Sequence, residues 1–250
     1  MNSLILASSR MRKTHLLIAL AIAGLLLLSG CAGRAVLTLS DLDPKFEFLE
    51  ELGIQVVLID YTTTGIDRYN EFFKSSALIY FTAELSQAMV NNAAANLKNY
   101  ARDHLAAGIM EENIQELIGD TPSDQLTVEQ SLAVMRMEKE QNRISDNESR
   151  YFFSMAGQLG IASLALIRGA KEAPDLIKKG KRLITHVWQD FTIMGIPRFW
   201  DIEPVVSGLD ESLGRLKHVT VIAPVLIEDI VVLLQGFKEL SATREIEVYE

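Results

Sequence analysis

Cys31 is the only thiol in a chain of 250 residues, and it stands directly after two small residues, Ser29 and Gly30. Small side chains there leave the backbone open to approach, and sulfur is the nucleophile available at that point. The other reactive side chains show no such organisation. The residues three before His104, His186 and His218 are Ala101, Leu183 and Arg215, so the paired Glu-x-x-His of di-iron bundles is absent. Neither His-x-x-x-His nor His-Glu-x-x-His occurs, and no metal is expected. Gly180-Lys181 ends like a phosphate loop, but the position five before Gly180, where a glycine is required, is Asp175. Gly157-Gln-Leu-Gly160 sits inside a helical pattern with no strand before it, which suits close helix packing better than dinucleotide binding. No Gly-x-Ser-x-Gly elbow is present, and no cofactor is expected. The 33 carboxylates leave a carboxylate-based hydrolase open, because linear order does not pair them; their ordinary place is a solvated face.

The residues leading to Cys31 give it a context. Arg10, Arg12 and Lys13 make a positive start, Leu16 to Leu28 is uncharged and apolar, and small residues follow. That order is the signature of a secretory signal. The apolar run from Leu16 to Leu28 is 13 residues, shorter than the roughly 20 that a spanning helix needs. Met11-Arg-Lys-Thr-His offers a second, more compact start. Leu28-Ser29-Gly30-Cys31 resembles the lipobox of bacterial lipoproteins, a resemblance confined to the signal and its junction. It implies a diacylglyceryl group on the Cys31 sulfur, cleavage before Cys31, and acylation of the new amino group. Ala32 stands where an aspartate would imply inner-membrane retention, so the resemblance implies the outer membrane, facing the periplasm, in a host with two membranes. The chain then divides into a cleaved signal at 1–30, a lipidated tether at 31–40 and a helical domain at 41–250. One cysteine also excludes an internal disulfide.

Removing residues 1–30 leaves 21 basic against 33 acidic residues, a net charge of −12 with histidines neutral. That argues against nucleic-acid binding, which requires a basic face. It also argues against electrostatic docking on anionic lipid, so membrane affinity is left to the acyl chains.

The elements carrying these residues read as helices. From Ile66 to about Leu105 there is neither proline nor glycine, and Tyr69, Phe73, Ala77, Tyr80, Phe81, Leu85, Met89, Ala93, Leu97 and Leu105 recur mostly in steps of three or four. A short helix is expected near Pro44 to Leu52 and another near Glu111 to Ile118. Thr127 with Gln130, and Ser145 with Glu148, have the spacing of capping boxes, predicting helices at 127–143 and from Asp146 with a corner near 143–146. Ala173-Pro174 is read as the end of the second of these, with a new helix from Asp175 to about Ile193. Two further helices are expected, one at Glu203-Pro204 and one from Val219 to Gly236. Ile54 to Ile59 fits a strand or a buried helical turn, Thr62 to Gly65 a loop, and Glu245 to Tyr249 a loose tail. The fold class is therefore all-α, a bundle of long amphipathic helices with minor or no strand.

Three segments could carry function. Tyr151 to Ile167 runs 17 residues without a charge, which fits either a central buried helix or a membrane-inserting one. Arg136 to Arg150 holds eight charged residues, a solvated corner or a docking tip. The segment Gly195 to Trp200 reads as a loop gathering Arg198, Phe199 and Trp200, residue types enriched at binding hot spots, or else a plug for the bundle end. Together these readings favour a non-enzymatic, membrane-anchored lipoprotein that binds or stabilises an envelope protein, with Arg198, Phe199 and Trp200 as its contact. The alternatives are a carboxylate-based hydrolase and a helical membrane-inserting protein.

Overall fold

The computed structural model describes residues 32–37, 59–107, 116, 118–193, 196–197 and 199–241. The signal with Leu28 to Cys31, the short helix expected near Pro44, residues 54–58, most of the helix expected near 111–118, Arg198 and the 245–249 tail lie outside the described residues.

Four helices dominate: α1 (Asp67–Ala106), α2 (Val128–Glu140), α3 (Asp146–Asp190) and α4 (Phe199–Ser241). Two small antiparallel pairs accompany them, β1 (Gly33–Val36) with β2 (Asp60–Thr63), and β3 (Thr192–Ile193) with β4 (Ile196–Pro197). The all-α bundle with minor strand is what the spacing of apolar residues implies.

The helix starts follow local chemistry. Both capping boxes form. Thr127 Oγ1 accepts from the Gln130 N–H at 3.1 Å while Gln130 Oε1 accepts from the Thr127 N–H at 2.9 Å, and Ser145 with Glu148 does the same at the head of α3. Ile66 has no oxygen to cap α1. Instead Asn70 reaches back, its Oδ1 accepting from the Thr64 N–H at 2.6 Å and its Nδ2 donating to the Thr64 carbonyl at 2.7 Å.

α3 and α4 run antiparallel over most of their lengths. Phe152 and Phe237 meet at one end with ring centroids 5.3 Å apart, and Trp188 and Phe199 meet at the other at 5.8 Å. α1 lies against both: Tyr69 contacts the end of α3 through Phe191, Tyr80 meets His218 of α4, and Tyr100 meets Phe152. The three long helices thus share a proximal end, near Tyr69, Asp190 and Phe199, and a distal end, near His104, Asp146 and Ser241. At 1.5 Å rise per residue, the 40 residues of α1 separate these ends by about 60 Å. α2 packs at the distal end, with Leu132 over Gly236 of α4.

Several expectations are corrected. Pro174 does not end a helix; 146–170 and 175–193 are one helix through Asp190, and Pro204 and Pro224 likewise sit inside α4, which absorbs 219–236. An internal proline costs about 3 kcal/mol or more. Each fully buried apolar side chain returns roughly 1.5–3 kcal/mol, and buried residues flank every one of these prolines. Leu166, Ala173, Leu183 and Val187 seat α3 on both sides of Pro174, whose ring is exposed. Gly33 to Val36 do not hang free as a tether but form β1, and Thr62 and Thr63, read as loop, belong to β2. Gly157 and Gly160 do not serve close packing: a Cβ on either would meet nothing within 4 Å.

The close approaches occur elsewhere. A Cβ on Gly180 would stand 2.6 Å from Phe72 Cζ and 2.9 Å from Leu213 Cδ2, and one on Gly208 would stand 2.8 Å from Thr62 Cβ. The second contact seats β2, and through it β1, on α4. Gly208→Ala is therefore expected to lose about 1–3 kcal/mol by overpacking. Gly214→Ala on the same helix, where a Cβ meets nothing, is expected to be neutral or stabilising by about 0.5–1 kcal/mol. Urea melts of the two variants check this pair; equal midpoints would mean that β2 is not held at Gly208.

Candidate functional site

Two groups of side chains stand out, one at each end. At the proximal end, β1 enters beside the start of α1. Gly33 pairs with Thr63, and Ala32 packs against the core. Arg34 pairs with Asp60 and lies 3.6 Å from Glu211; Arg215 donates to the Asp60 carbonyl at 2.6 Å and to Glu211 at 2.8 Å, over the face of Tyr80. The hydrogen bond from Arg34 holds the Asp60 carboxyl below its ordinary range, with Arg215 adding to it. The Arg34–Asp60 pair is exposed, and such pairs contribute at most about 1 kcal/mol, so it fixes β1's position more than it stabilises the fold.

Close by, Tyr69 directs its hydroxyl to Asp190 Oδ2 at 2.7 Å, with the Leu183 carbonyl at 3.2 Å, while Arg68 pairs with Asp190. Burial first, then Asp190, pushes the Tyr69 phenol up, so it stays a neutral donor. These contacts tie the start of α1 to the end of α3. Just beyond, Trp188, Phe199 and Trp200 remain 52%, 60% and 68% exposed. Phe199 and Trp200 are not in a loop; they form the first turn of α4, after the short β3–β4 ribbon, and their exposure is unlike that of a core plug. Trp188 and Phe199 meet edge to face and, with Ile202 and Val206, floor an open groove of about 520 Å³ edged by Glu203, Ser207 and Asp210. Trp188 was not singled out by sequence reasoning, because its partner Phe199 is brought to it only by the turn between α3 and α4.

The distal group was also missed. His104 on α1 lies between two carboxylates, its Nδ1 2.9 Å from Glu138 Oε2 and its Nε2 2.9 Å from Glu148 Oε1. Each ring nitrogen thus faces a carboxylate oxygen, so the ring bridges α2 and α3. Arg143 grips Glu138 from the other side, Nε to Oε2 at 2.8 Å and Nη2 to Oε1 at 2.6 Å. The Arg143 hydrogen bond chiefly holds Glu138 below the usual carboxylate range, against its burial. Burial alone would raise Glu148, but the Ser145 hydroxyl and N–H, with His104, outweigh it and hold it low. Tyr100 and Tyr151 meet beside this group with ring centroids 5.4 Å apart, and burial pushes the Tyr151 phenol up to about 12. The 136–150 stretch is therefore not simply a solvated corner: Glu138 is 2% exposed.

Chemically, the distal group is a closed charge lattice. Both carboxylates are held ionised, so neither is poised to give a proton, and the imidazole has no free nitrogen. Among the described residues, no three His, Cys, Asp or Glu side chains converge on a common metal position.

α3 and α4 also each carry a stretch long and apolar enough to cross a membrane by length and composition, with 39% and 33% of those windows buried. On α3, Phe153, Gly157, Gly160 and Leu164 follow the i, i+4, i+7, i+11 spacing of one helix face, with Phe153 73% and Leu164 72% exposed. Comparison with protein-family models, curated proteins and solved structures returned no match.

Proposed function

We propose that the chain is a bacterial lipoprotein whose helical bundle acts without catalysis, binding or stabilising another component of the envelope, in the outer membrane facing the periplasm where the host has two membranes. The observation that carries this reading is the Leu28-Ser29-Gly30-Cys31 junction behind a charged and apolar lead. The fold is compatible with it in one respect. Only Ala32 separates Cys31 from a strand pinned to α4, so a lipid on Cys31 would hold the proximal end at the membrane and carry the distal end outward. The ionised, mutually committed carboxylates at the distal end favour a structural role over a hydrolytic one.

Membrane insertion of α3 is a second reading, favoured by the exposed Phe153 to Leu164 face. Mass spectrometry of membrane-extracted protein tests the first directly. The expected N-terminal peptide begins at Cys31 and carries acyl groups on both sulfur and nitrogen. A peptide beginning upstream, or an unmodified Cys31, overturns the lipoprotein reading.

A further inference from the structure

We propose that the proximal end of the bundle lies on the bilayer, with Trp188, Phe199 and Trp200 seated among the lipid headgroups beside the acylated cysteine. This inference rests on the lipoprotein reading and says what the bundle does with its tether. Consecutive Cα atoms are about 3.8 Å apart, and Ala32 already packs against the core, so an acylated Cys31 leaves almost no slack between bilayer and protein. Which end it brings down is fixed by β1. Gly33 pairs with Thr63, Thr64 is hydrogen-bonded to Asn70 in the first turn of α1, and Tyr69 one residue earlier is bonded to Asp190 at the end of α3. Two residues before Asp190 is Trp188, in contact with Phe199. The attachment point and the three exposed rings therefore share one end of a bundle some 60 Å long.

The chemistry of the patch suits that position. Tryptophan combines a large apolar ring with an N–H donor and favours the headgroup layer, where one side is apolar and the other wet. Glu203 and Asp210 edge the groove, and the mature chain carries 21 basic against 33 acidic residues, so attraction to anionic lipid does not hold this end. Contact through rings alone is insensitive to salt. A protein partner for Phe199 and Trp200 would have to reach an end already held at the bilayer, which is why lipid is favoured over the envelope protein that their residue types alone suggest.

Trp188 and Trp200 are the only tryptophans in the chain, so tryptophan emission reports this end alone. The full lipidated protein, extracted in detergent, is reconstituted into phosphatidylcholine vesicles with plain or brominated acyl chains. Brominated vesicles are expected to remove most of the emission, equally at low and high salt, while aqueous iodide quenches little. Trp188→Phe and Trp200→Phe, each at an exposed position, should each leave one tryptophan that is still quenched by bromine. Flotation and the mass of the N-terminal peptide are read on the same sample. Acylated protein that floats, yet whose emission ignores bromine and yields to iodide, overturns the docking and leaves the lipoprotein reading standing. Emission shielded from both quenchers places protein over the rings and also overturns it. An unacylated Cys31 removes both readings together.

Discussion

Cys31→Ala is expected to accumulate as the uncut precursor, with no acyl label and no stable hold on the membrane. The effect should be all or none, because the thiol is the group to which lipid is added and no other cysteine can replace it. Each buried CH₂ is worth about 0.8 kcal/mol, and a single myristoyl chain gives only marginal, reversible binding. The three chains that the lipobox resemblance implies make anchoring effectively permanent, and removing them removes nearly all of it. The leftover Leu16 to Leu28 run is 13 residues, short of the roughly 20 needed to span. Alkaline extraction and gel mobility read the result. A variant still shortened by 30 residues and still resistant to extraction would show that the junction is an ordinary cleavage site with a coincidental cysteine.

Glu138→Ala is expected to destabilise the bundle by about 3–5 kcal/mol, the usual cost of removing one partner from a buried ion pair. The side chain is 3% exposed and receives bonds from both Arg143 and His104. Its loss takes one buried partner from Arg143 and one from His104 where three helices meet. The same group gives the fold an acid limit. Glu138 and Glu148 have folded pKa values below the ordinary 4.5, so their contribution is fully present above about that pH and is lost as pH falls through the lowered values. Glu138→Gln should therefore start less stable at neutral pH and lose less on acidification. Urea midpoints at neutral pH and in the acid limb give both quantities. A variant whose midpoint shifts equally at every pH would show that the carboxylate is not held ionised by its neighbours.

How far the chain could be read before its structure depends on the range of each interaction. Helix starts at 128 and 146 follow from side chains three residues apart, so Thr127 with Gln130 and Ser145 with Glu148 marked them to within one residue. α1 was legible because forty residues without glycine or proline repeat their apolar face many times. The prolines were misread because the local rule counts one lost hydrogen bond and a ring clash, while the deciding energy is burial of residues such as Leu183 and Val187 against other helices. β1 and β2 have four residues each and pair across more than twenty others, too few to show alternation. The distal lattice draws His104, Glu138 and Glu148 from three helices, and no spacing in the chain announces it. The proximal patch was half visible: Phe199 and Trp200 could be named, but Trp188 and the nearness of Cys31 come from the way α3 turns back into α4.

The length of the three parallel and antiparallel rods has a consequence of its own. A bundle about 60 Å long, pivoting on one short link at its foot, sweeps its far tip through a hemisphere of that radius. Any target confined to the same hemisphere meets the tip at an effective concentration on the order of millimolar, so even feeble contacts at the far end become well populated. If the foot is pinned by aromatic rings, the sweep narrows to a cone, and the tip serves partners at one height above the bilayer instead of all heights below it. The bundle then works as a fixed-reach arm, its working distance set by the number of turns in its helices.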